Sequence, residues 1–513
     1  MKKKIVFINP KVKDPQIKVW SSTIMQSFIG NSVLSTLSLT PMVFAAITPS
    51  NYDFVYIDES LDEINFQIDA DFVAITAMTI QANRAYEIAT RFRNRGIPVI
   101  IGGIHASVVP DEVAAHCDAV MIGEGEHAWK DILKDFEQAA LKQFYNAKDY
   151  PPVKDLISPR VDIVDHERYL LFPIQATRGC PYDCDFCSIK HSSGQRYRMK
   201  PVEQVITEIK AFETYNKPSL GAYKKGYIFA DDNLYVNRAY TKELFTAMSE
   251  LDITWTAQGT IDVAFDEEIL SLMAKSGCRS FSMGLESISE ATLKEVNKPK
   301  MNKTNTYDVA FQNLINHGII PTGYLIFGFD TDDAQVFQRT VDFAIKNHLM
   351  QPFFNILTPY PGTKLYDRIK AEGRIFEDNW DRYNSQLSVF TPKQLSSSLL
   401  EEGVGWSIKQ IGKMSVIKGQ LAYFWSHGPW PHLKALTLKE RLFLVLLGLK
   451  LRKNSHEYGQ FLFWAARQKK ACDFSSIIAG LMLYEIIKEA DIGKSFEKLL
   501  QEEQHHRTIA HQH

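Results

Sequence analysis

The sequence lacks the long apolar segments that would place it across a membrane. No run reaches the roughly 18 apolar residues that a membrane-spanning helix needs, and the longest obvious run covers only residues 442–449. The amino terminus has four apolar residues, 5–8, before Asn9, which is too few for the core of a signal peptide. These absences predict a cytoplasmic protein.

The chain also lacks an excess of charge of either sign. Its 58 Lys and Arg residues stand against 60 Asp and Glu residues, a net charge of −2, so no overall basic field exists to attract nucleic acid. Hydrophobic residues make up 45% and charged residues 23%, which is typical of soluble globular proteins. A length of 513 residues is too great for one hydrophobic core and suggests about three domains.

Cysteine is scarce and unevenly distributed. Of the six cysteines, Cys117, Cys278 and Cys472 stand alone, whereas the other three lie within eight residues. This distribution does not resemble a disulfide framework. The group of three therefore predicts a metal site.

Residues 1–140 are predicted to form a doubly wound α/β domain. Short apolar runs at residues 5–9, 54–57, 72–75, 99–102 and 119–122 are typical of buried parallel strands, with helical spacing between them. Ligands of such folds bind beyond the carboxyl ends of the strands. The loops there supply the candidate binding residues Thr76, Thr79, Gly102, Gly103, His105, Ser107, Glu124, Gly125 and Glu126.

Three further regions follow. Residues 141–170, with Pro151, Pro152 and Pro159, are predicted to be a linker. Residues 171–392 contain candidate strands at 174–176, 226–230, 254–259, 280–284, 323–328 and 353–357, and these six βα units predict a (β/α)6 partial barrel. Residues 393–513 lose the strand pattern and predict a helical C-terminal domain.

The crowded cysteines, Cys180, Cys184 and Cys187, have the spacing C-x₃-C-x₂-C after the first predicted barrel strand. Three thiolates on a four-iron cluster leave one iron open to bind a substrate or cofactor. A zinc site is the alternative, but zinc would need a fourth Cys or His ligand, and the nearest candidate is His191, outside the loop.

These three cysteines, with the aromatic Phe186 before the last of them, resemble the signature loop of the radical S-adenosylmethionine superfamily. The resemblance implies a [4Fe-4S] cluster whose open iron is chelated by the amino and carboxylate groups of S-adenosylmethionine. It also implies reductive cleavage of that cofactor to a 5′-deoxyadenosyl radical, and hence an electron donor such as a flavodoxin or ferredoxin.

Other barrel positions fit the same resemblance. Asp231 and Asp232 end the second predicted strand, where the family places groups that receive the methionyl ammonium. Glu286 and Ser287 end the fourth, where family members hold the ribose hydroxyls. Near the fifth strand an acidic residue appears only at Asp330 and Asp332, and Asp332 is also expected to cap a helix.

The loops at residues 102–107 and 123–126 resemble the cobalamin-binding domain that precedes many radical S-adenosylmethionine barrels. The resemblance implies that glycines let the backbone approach the corrin or its nucleotide tail, while Thr76, Thr79 and Ser107 supply hydroxyls. A nucleotide-type fold without a ligand is the alternative. His105 lacks the D-x-H-x-x-G pattern of an axial ligand, so it is expected to hydrogen-bond locally or touch the corrin edge.

The carboxyl-terminal part resembles the cobalamin-dependent subgroup that methylates hopanoids and bacteriochlorophyll side chains. The residues that carry this resemblance are the segment 359–363, Trp380 and Tyr383. Residues 441–453 are apolar with basic flanks, which is most often a core helix; the alternative is a surface that receives an amphiphilic substrate or contacts a membrane.

The sequence therefore predicts a cobalamin-dependent radical S-adenosylmethionine methyltransferase. Its expected substrate is an apolar, lipid-like or tetrapyrrole-like small molecule that is methylated at an unactivated carbon. A cobalamin-dependent radical oxidoreductase or cyclase is the alternative. A cobalamin-responsive regulator with an inactive barrel is a third hypothesis, disfavoured by the intact cysteine motif.

Overall fold

The computed structural model describes residues 2–13, 37–147, 150, 152–153, 157–169, 171–216, 226–298, 302–429, 436–452, 456–468, 477, 480, 484 and 492–510. Cys472 lies outside these residues.

The N-terminal domain is a parallel sheet of six strands with helices on both faces. The strands are β1 (Lys3–Asn9), β2 (Tyr52–Asp58), β3 (Phe72–Thr76), β4 (Val99–Gly102), β5 (Ala119–Gly123) and β6 (Phe144–Ala147), in the order β2-β1-β3-β4-β5-β6. The helices are α1 (Leu39–Ile47), α2 (Ala82–Arg93), α3 (Ile104–Val108), α4 (Pro110–Ala114) and α5 (Trp129–Glu137). The order reverses between β1 and β3, which creates the crevice in which doubly wound folds bind ligands.

The central strands are buried on both faces, which is why they are continuous apolar runs in the sequence. Val6 and Ile8 of β1 pack with α2, whereas Ile5 and Phe7 pack on the opposite face with Phe44 of α1. Side chains alternate between the faces of a strand, so a strand covered on both sides has no polar positions. The doubly wound α/β prediction is confirmed.

Strand β6 lies inside the segment that the sequence predicted to be a linker. It is an edge strand in which only Tyr145 and Ala147 point inward. Two inward residues are too few to produce a recognisable apolar pattern, so this strand could not be predicted from the sequence.

The second domain is an open barrel of six parallel strands. Its elements are β7 (Leu171–Ile174), β8 (Thr177–Arg178), β9 (Arg198–Met199), β10 (Gly226–Phe229), β11 (Trp255–Gly259), β12 (Cys278–Glu286), β13 (Ile320–Phe327) and β14 (Gln351–Ile356). The main sheet has the order β14-β13-β12-β11-β10-β7, and β8 pairs with β9 in a short antiparallel ribbon. Because β7 and β14 are the two edges, the barrel is partial, which confirms the prediction.

The barrel helices alternate with its strands, as parallel connections require. They are α6 (Ile189–Ser192), α7 (Val202–Glu213), α8 (Arg238–Met248), α9 (Glu267–Lys275), α10 (Glu290–Glu295), α11 (Tyr307–Asn316), α12 (Val336–Lys346) and α13 (Lys364–Ala371). Side-chain caps fix where several begin: Asn237 accepts a hydrogen bond from the Tyr240 N–H and Thr363 accepts one from the Tyr366 N–H.

The first barrel strand ends earlier than the sequence predicted. It covers Leu171–Ile174, whereas the predicted strand was at residues 174–176. The N–H groups of Ala176 and Thr177 donate to the carboxylate of Asp231, at 3.1 and 2.6 Å, rather than to a neighbouring strand. A side chain therefore takes over the hydrogen bonds that would have extended the strand.

The C-terminal region is helical, as predicted. Its helices are α14 (Ser397–Ile411), α15 (Met414–Ser426), α16 (Leu438–Leu451), α17 (His456–Ala466) and α18 (Phe496–Ala510). Leu399, Leu400 and Val404 of α14 join the core of the barrel, so this helix covers the edge strand β14. Within the described part of the chain, no helix is both long enough and apolar enough to cross a membrane.

The segment after the barrel docks on the N-terminal domain through a cluster of four side chains, His105, Tyr86, Glu112 and Trp380. Glu112 Oε1 accepts hydrogen bonds from Trp380 Nε1 at 2.7 Å and from the Tyr86 hydroxyl at 2.8 Å. That hydroxyl lies 2.9 Å from His105 Nε2, and the rings of His105 and Trp380 meet edge to face. Burial alone would raise the pKa of Glu112, but the nearby His105 ring and the hydrogen bonds from Trp380 and Tyr86 lower it to about 2. The carboxylate is therefore ionised at neutral pH.

Replacing Glu112 by Ala should lower the free energy of unfolding by about 1–3 kcal/mol, because Trp380 and Tyr86 lose a shared, charged acceptor. Denaturant unfolding followed by tryptophan fluorescence measures this change. Asp111→Ala, at an exposed position of the same helix, is the matched control and should change stability by less than about 0.5 kcal/mol. Equal stability of the two variants would show that the cluster does not hold the domains together.

Candidate active site

The three cysteines of the predicted cluster motif lie on one loop between β8 and α6, and all three are partly exposed. Backbone hydrogen bonds tie this loop to several parts of the barrel. The Cys180 N–H donates to the Gly194 carbonyl at 3.3 Å, and the Asp185 N–H donates to the Val296 carbonyl at 3.1 Å. The loop thus has a fixed path at the carboxyl edge of the sheet.

Burial and one lysine set the acidity of the thiols. Burial raises the pKa of Cys184 to about 12 and that of Cys187 to about 11, while the ammonium of Lys298 opposes this shift at both. Burial also raises the pKa of Cys180, and the Tyr182 N–H and the ammonium of Lys298 oppose this shift. Metal binding requires thiolates, so occupation of this loop releases protons and leaves negative charge beside Lys298.

Asp231 and Asp232 hold the beginning of the cysteine loop. Asp231 Oδ1 accepts from the N–H and the hydroxyl of Thr177, both at 2.6 Å, and its Oδ2 accepts from the Ala176 N–H. Asp232 Oδ2 accepts from the Gly179 N–H at 2.9 Å. Burial raises the pKa of Asp231 to about 7 in spite of these bonds. These contacts tie both carboxylates to the start of the loop. That they also receive the methionyl ammonium stays a prediction.

Gly179 shows how tightly that loop is packed. Its φ is +86°, and a Cβ atom there would lie 2.4 Å from the Arg196 carbonyl oxygen. Only glycine combines this backbone conformation with such a close approach.

Glu286 lies at the end of β12, where the pairing with β13 shifts register between Gly284 and Glu286. Its φ is +60°, an unusual backbone conformation for a residue with a side chain. Strained residues of this kind cluster at functional sites.

The adjacent Ser287 faces a local turn instead, because its hydroxyl accepts a hydrogen bond from the Ser289 N–H at 3.1 Å. The two residues that the sequence treated as one polar pair therefore have different surroundings.

Glu286 lines a cavity of about 280 Å³ at the carboxyl edge of the barrel, and Phe186 of the cysteine loop lines it too. The remaining lining residues come from β13, β14 and the segments that follow β14: Tyr324, Ile326, Asn355, Ile356, Leu357, Thr358, Tyr360 and Ser385. Asp330 and Asp332 lie outside this lining. Asp330 pairs with Arg368 and Arg374, and Asp332 accepts from the Gly328 and Phe329 N–H groups.

Lys298 belongs to this site but was not among the candidate residues predicted from the sequence. Its ammonium donates to Glu286 Oε1 at 2.6 Å, and both side chains are only 8% exposed. It acts electrostatically on all three thiols of the loop. A single lysine has no spacing pattern, so nothing in the sequence distinguished it from the others.

A second, larger cavity of about 530 Å³ opens between the two domains. Its walls include α1 residues such as Phe44, and barrel residues such as Gln175 and Ala230. Of the candidate residues from the N-terminal domain, those in its lining are Thr76, Gly102, Gly103, Ser107, Glu124, Gly125 and Glu126.

Thr79 and His105 lie outside that lining. Thr79 is buried in the 3₁₀ turn Thr79–Gln81, and His105 is fully buried in the cluster with Tyr86, Glu112 and Trp380. Of the two roles expected for His105, the structure therefore places it in local hydrogen bonding, away from the cavity.

The glycines of these loops are explained by contacts within the protein. Gly103 has a φ of +98°, and a Cβ there would lie 2.6 Å from the Ala77 carbonyl oxygen. A Cβ at Gly125 would lie 2.9 Å from the ring of Phe44. Close packing within the protein therefore already requires glycine at both positions, which also line the interdomain cavity. The approach of a cofactor to their backbone stays a prediction.

Glu124 and Glu126 join the N-terminal domain to the cysteine loop. Arg178, two residues before Cys180, contacts Glu126 Oε1 at 2.7 Å and Glu124 Oε2 at 3.3 Å. Arg198 of β9 donates to Glu124 Oε2 at 2.8 Å. The exposed fraction of these four side chains is between 4% and 12%. We call these residues the arginine–glutamate network.

Comparison with known proteins agrees with this arrangement. The family described as Radical SAM superfamily matches residues 174–344, and the family described as B12 binding domain matches residues 46–133. The bacteriochlorophyllide d C-12(1)-methyltransferase of Chlorobaculum tepidum is 32% identical over 398 residues, which are 76% of this chain and 86% of that protein. The chain belongs to the cobalamin-dependent radical S-adenosylmethionine methyltransferase family.

Two further comparisons support this assignment. The bacteriochlorophyllide d C-8(2)-methyltransferase of the same organism is 33% identical over 67% of this chain and 78% of that protein. The solved structure of OxsB, a cobalamin-dependent S-adenosylmethionine radical enzyme, superposes with a TM-score of 0.60 at 14% identity, covering 98% of this chain and 83% of that chain. At this identity the likeness shows a shared fold. The resemblance found in the sequence is confirmed, and the cofactors of this enzyme are a [4Fe-4S] cluster, S-adenosylmethionine and cobalamin.

The side chains present fit these cofactors. The cysteine loop offers three thiols beside a buried ammonium, Lys298, which suits an anionic cluster and a carboxylate ligand. The interdomain cavity combines an aromatic and aliphatic wall with backbone and hydroxyl groups on its loops, which suits a large ring system with a polar tail. His191 is the candidate fourth ligand of a zinc site. Its Nε2 is hydrogen-bonded to the Gly362 carbonyl oxygen at 2.6 Å.

Asp231→Asn should reduce the iron and sulfide content per chain several-fold after anaerobic reconstitution. The amide presents a donor where the N–H groups of Ala176 and Thr177 need an acceptor, and an unsatisfied buried donor costs about 1–3 kcal/mol. Iron and sulfide analysis, with circular dichroism as a check on the fold, measures the effect. Asp53→Asn, an exposed carboxylate on β2, is the control. A full cluster content in Asp231→Asn would contradict the assigned role.

Proposed function

We propose that this enzyme methylates an unactivated carbon of a large apolar small molecule, and that the substrate is a tetrapyrrole. The observation that carries the proposal is the joining of two sites: the loops of the N-terminal domain are ion-paired to the residues that flank the cysteine loop. Hydrogen abstraction and methyl transfer must act on the same carbon, so their two centres must face one another.

Cys180, Cys184 and Cys187 are the proposed cluster ligands, and Phe186, Glu286 and Lys298 flank the proposed S-adenosylmethionine site. The interdomain cavity is the proposed cobalamin site. When bound, these cofactors supply hydrogen-atom abstraction and the methyl group.

The protein's own contribution is charge placement and positioning. The buried ammonium of Lys298 acts electrostatically on the thiols and would balance negative charge at this site, including that of the carboxylate of S-adenosylmethionine. Asp231 and Asp232 fix the start of the loop, so the thiols keep one geometry.

Apolar side chains form part of the wall of each cavity and would help to exclude water once the cofactors and substrate are bound. Tyr324 and Phe186 line the smaller cavity, and Phe44 and Val43 line the larger one. Helix α14 covers the edge strand β14, which limits solvent access on that side. A radical on carbon survives only where water and other hydrogen donors are kept away.

The tetrapyrrole class is favoured by the two relatives with about one third identity, both named as bacteriochlorophyllide methyltransferases. Both names specify a carbon atom of the substrate as the position that is methylated. Radical chemistry is needed only where acid–base activation cannot generate a nucleophile at such a carbon. A net charge of −2 offers no overall field for a polyanionic substrate.

Transfer of a labelled methyl group to the substrate tests the proposal. Reconstituted enzyme, with a reduced flavodoxin or ferredoxin and methyl-labelled S-adenosylmethionine, should transfer label to a bacteriochlorophyllide d-type tetrapyrrole and release 5′-deoxyadenosine. Substituting Cys180, Cys184 and Cys187 with Ala should abolish both products, because no open iron remains. Cys117→Ala, at a buried cysteine of the N-terminal domain, should retain both.

Other outcomes separate the alternatives. Release of 5′-deoxyadenosine with an unlabelled, oxidised or cyclised product would favour the radical oxidoreductase or cyclase. Labelling of a hopanoid-type lipid but not of the tetrapyrrole would reject the substrate class and keep methyl transfer.

A further inference from the structure

Helix α16 carries four leucines on its outer surface. Leu438, Leu442, Leu446 and Leu449 are 84%, 57%, 56% and 53% exposed, although most large apolar side chains of the described chain are buried. With 3.6 residues per turn, these four positions fall within about 80° of the helix circumference. They form one continuous stripe, which we call the leucine stripe.

The orientation of the helix is fixed by its other face. Leu444 is fully buried with Tyr458 and Phe461 of α17, and a Cβ at Gly448 would meet the Phe463 ring at 3.0 Å. A capping box between Thr437 and Glu440 sets the beginning of the helix. The leucine stripe is therefore held outward by packing on the opposite side and cannot turn inward without breaking it.

Basic side chains border the stripe on both sides. By helical position Lys439 and Lys450 lie along one border and Arg452 along the other, and all three are exposed. Over residues 438–452 the sequence has four cationic residues, Lys439, Arg441, Lys450 and Arg452, against one acidic residue, Glu440, which is engaged in the capping box. The surface around the leucines therefore has a net positive charge.

We propose that α16 is a docking surface for an anionic lipid bilayer, with the helix axis parallel to the membrane. The leucines would enter the boundary between headgroups and acyl chains, while the lysines and Arg452 reach the headgroup phosphates. A helix of 14 residues is too short to span a bilayer, so it lies along the surface. This inference rests on α16 alone and holds whatever the substrate is.

The test is flotation of the full, anaerobically reconstituted chain with vesicles. Phosphatidylcholine vesicles that contain phosphatidylglycerol should carry the protein upward, and pure phosphatidylcholine vesicles should carry much less. Replacing all four leucines of the stripe with Gln should weaken binding by more than about tenfold, since buried apolar area supplies most of the affinity. Lys439→Glu with Lys450→Glu should weaken it by at least about fivefold for each lysine and remove most of its salt dependence.

Val309→Gln and Ile157→Gln are the matched controls. Both replace exposed apolar side chains elsewhere, 49% and 56% exposed, and should bind vesicles like the wild type. Because the stripe is solvent-exposed, the leucine variant should keep its circular dichroism spectrum and its methyl transfer to a substrate in detergent.

Three results would overturn the proposal. They are equal flotation of the leucine variant and the wild type, no preference for phosphatidylglycerol, and a wild-type dimer without vesicles that the leucine variant abolishes. The last result would make the stripe an interface between copies of this chain.

Discussion

The architecture depends on the arginine–glutamate network. Arg178 and Arg198 come from the barrel, Glu124 and Glu126 come from the N-terminal domain, and all four side chains are almost completely buried. Charges are costly to bury unless paired and hydrogen-bonded, so neither domain would keep its half of this network in the absence of the other. Since Arg178 lies two residues before the first cysteine of the cluster motif, the same contacts that join the domains also position the proposed cluster.

The other charged groups of the site are also buried and paired with partners within the protein. Lys298 and Glu286 form a second buried pair, and Asp231 accepts three hydrogen bonds from the start of the cysteine loop. Glu286 also keeps a left-handed backbone conformation. This backbone conformation is unfavourable and persists only where the surrounding structure determines it. These features coincide with the carboxyl edge of the barrel, where radical chemistry requires fixed geometry and the exclusion of water.

Sequence reasoning recovered the features that have a local pattern. Buried parallel strands are continuous apolar runs, and the cysteine spacing identifies its loop directly. It missed β6, because an edge strand with two inward residues has no distinctive pattern. It did not predict that Glu124 and Glu126, which also line the interdomain cavity, pair with arginines from the barrel. Lys298 was not predicted as a site residue because it comes near the cysteines only in the folded protein. Pairing of residues across a domain boundary depends on the tertiary structure, so it cannot be predicted from local sequence motifs.

In the proposed arrangement the cobalamin domain and the cluster loop face one shared space and are held there by the arginine–glutamate network. Pulsed electron paramagnetic resonance between cob(II)alamin and the reduced [4Fe-4S] cluster tests it most directly, because it measures the separation of the two centres without turnover. We expect one narrow, short distance with strong spin coupling in the wild type, and a broader distribution of distances in the double variant Arg178→Met, Arg198→Met. A long or broad distance in the wild type, or one that this double substitution leaves unchanged, would contradict it.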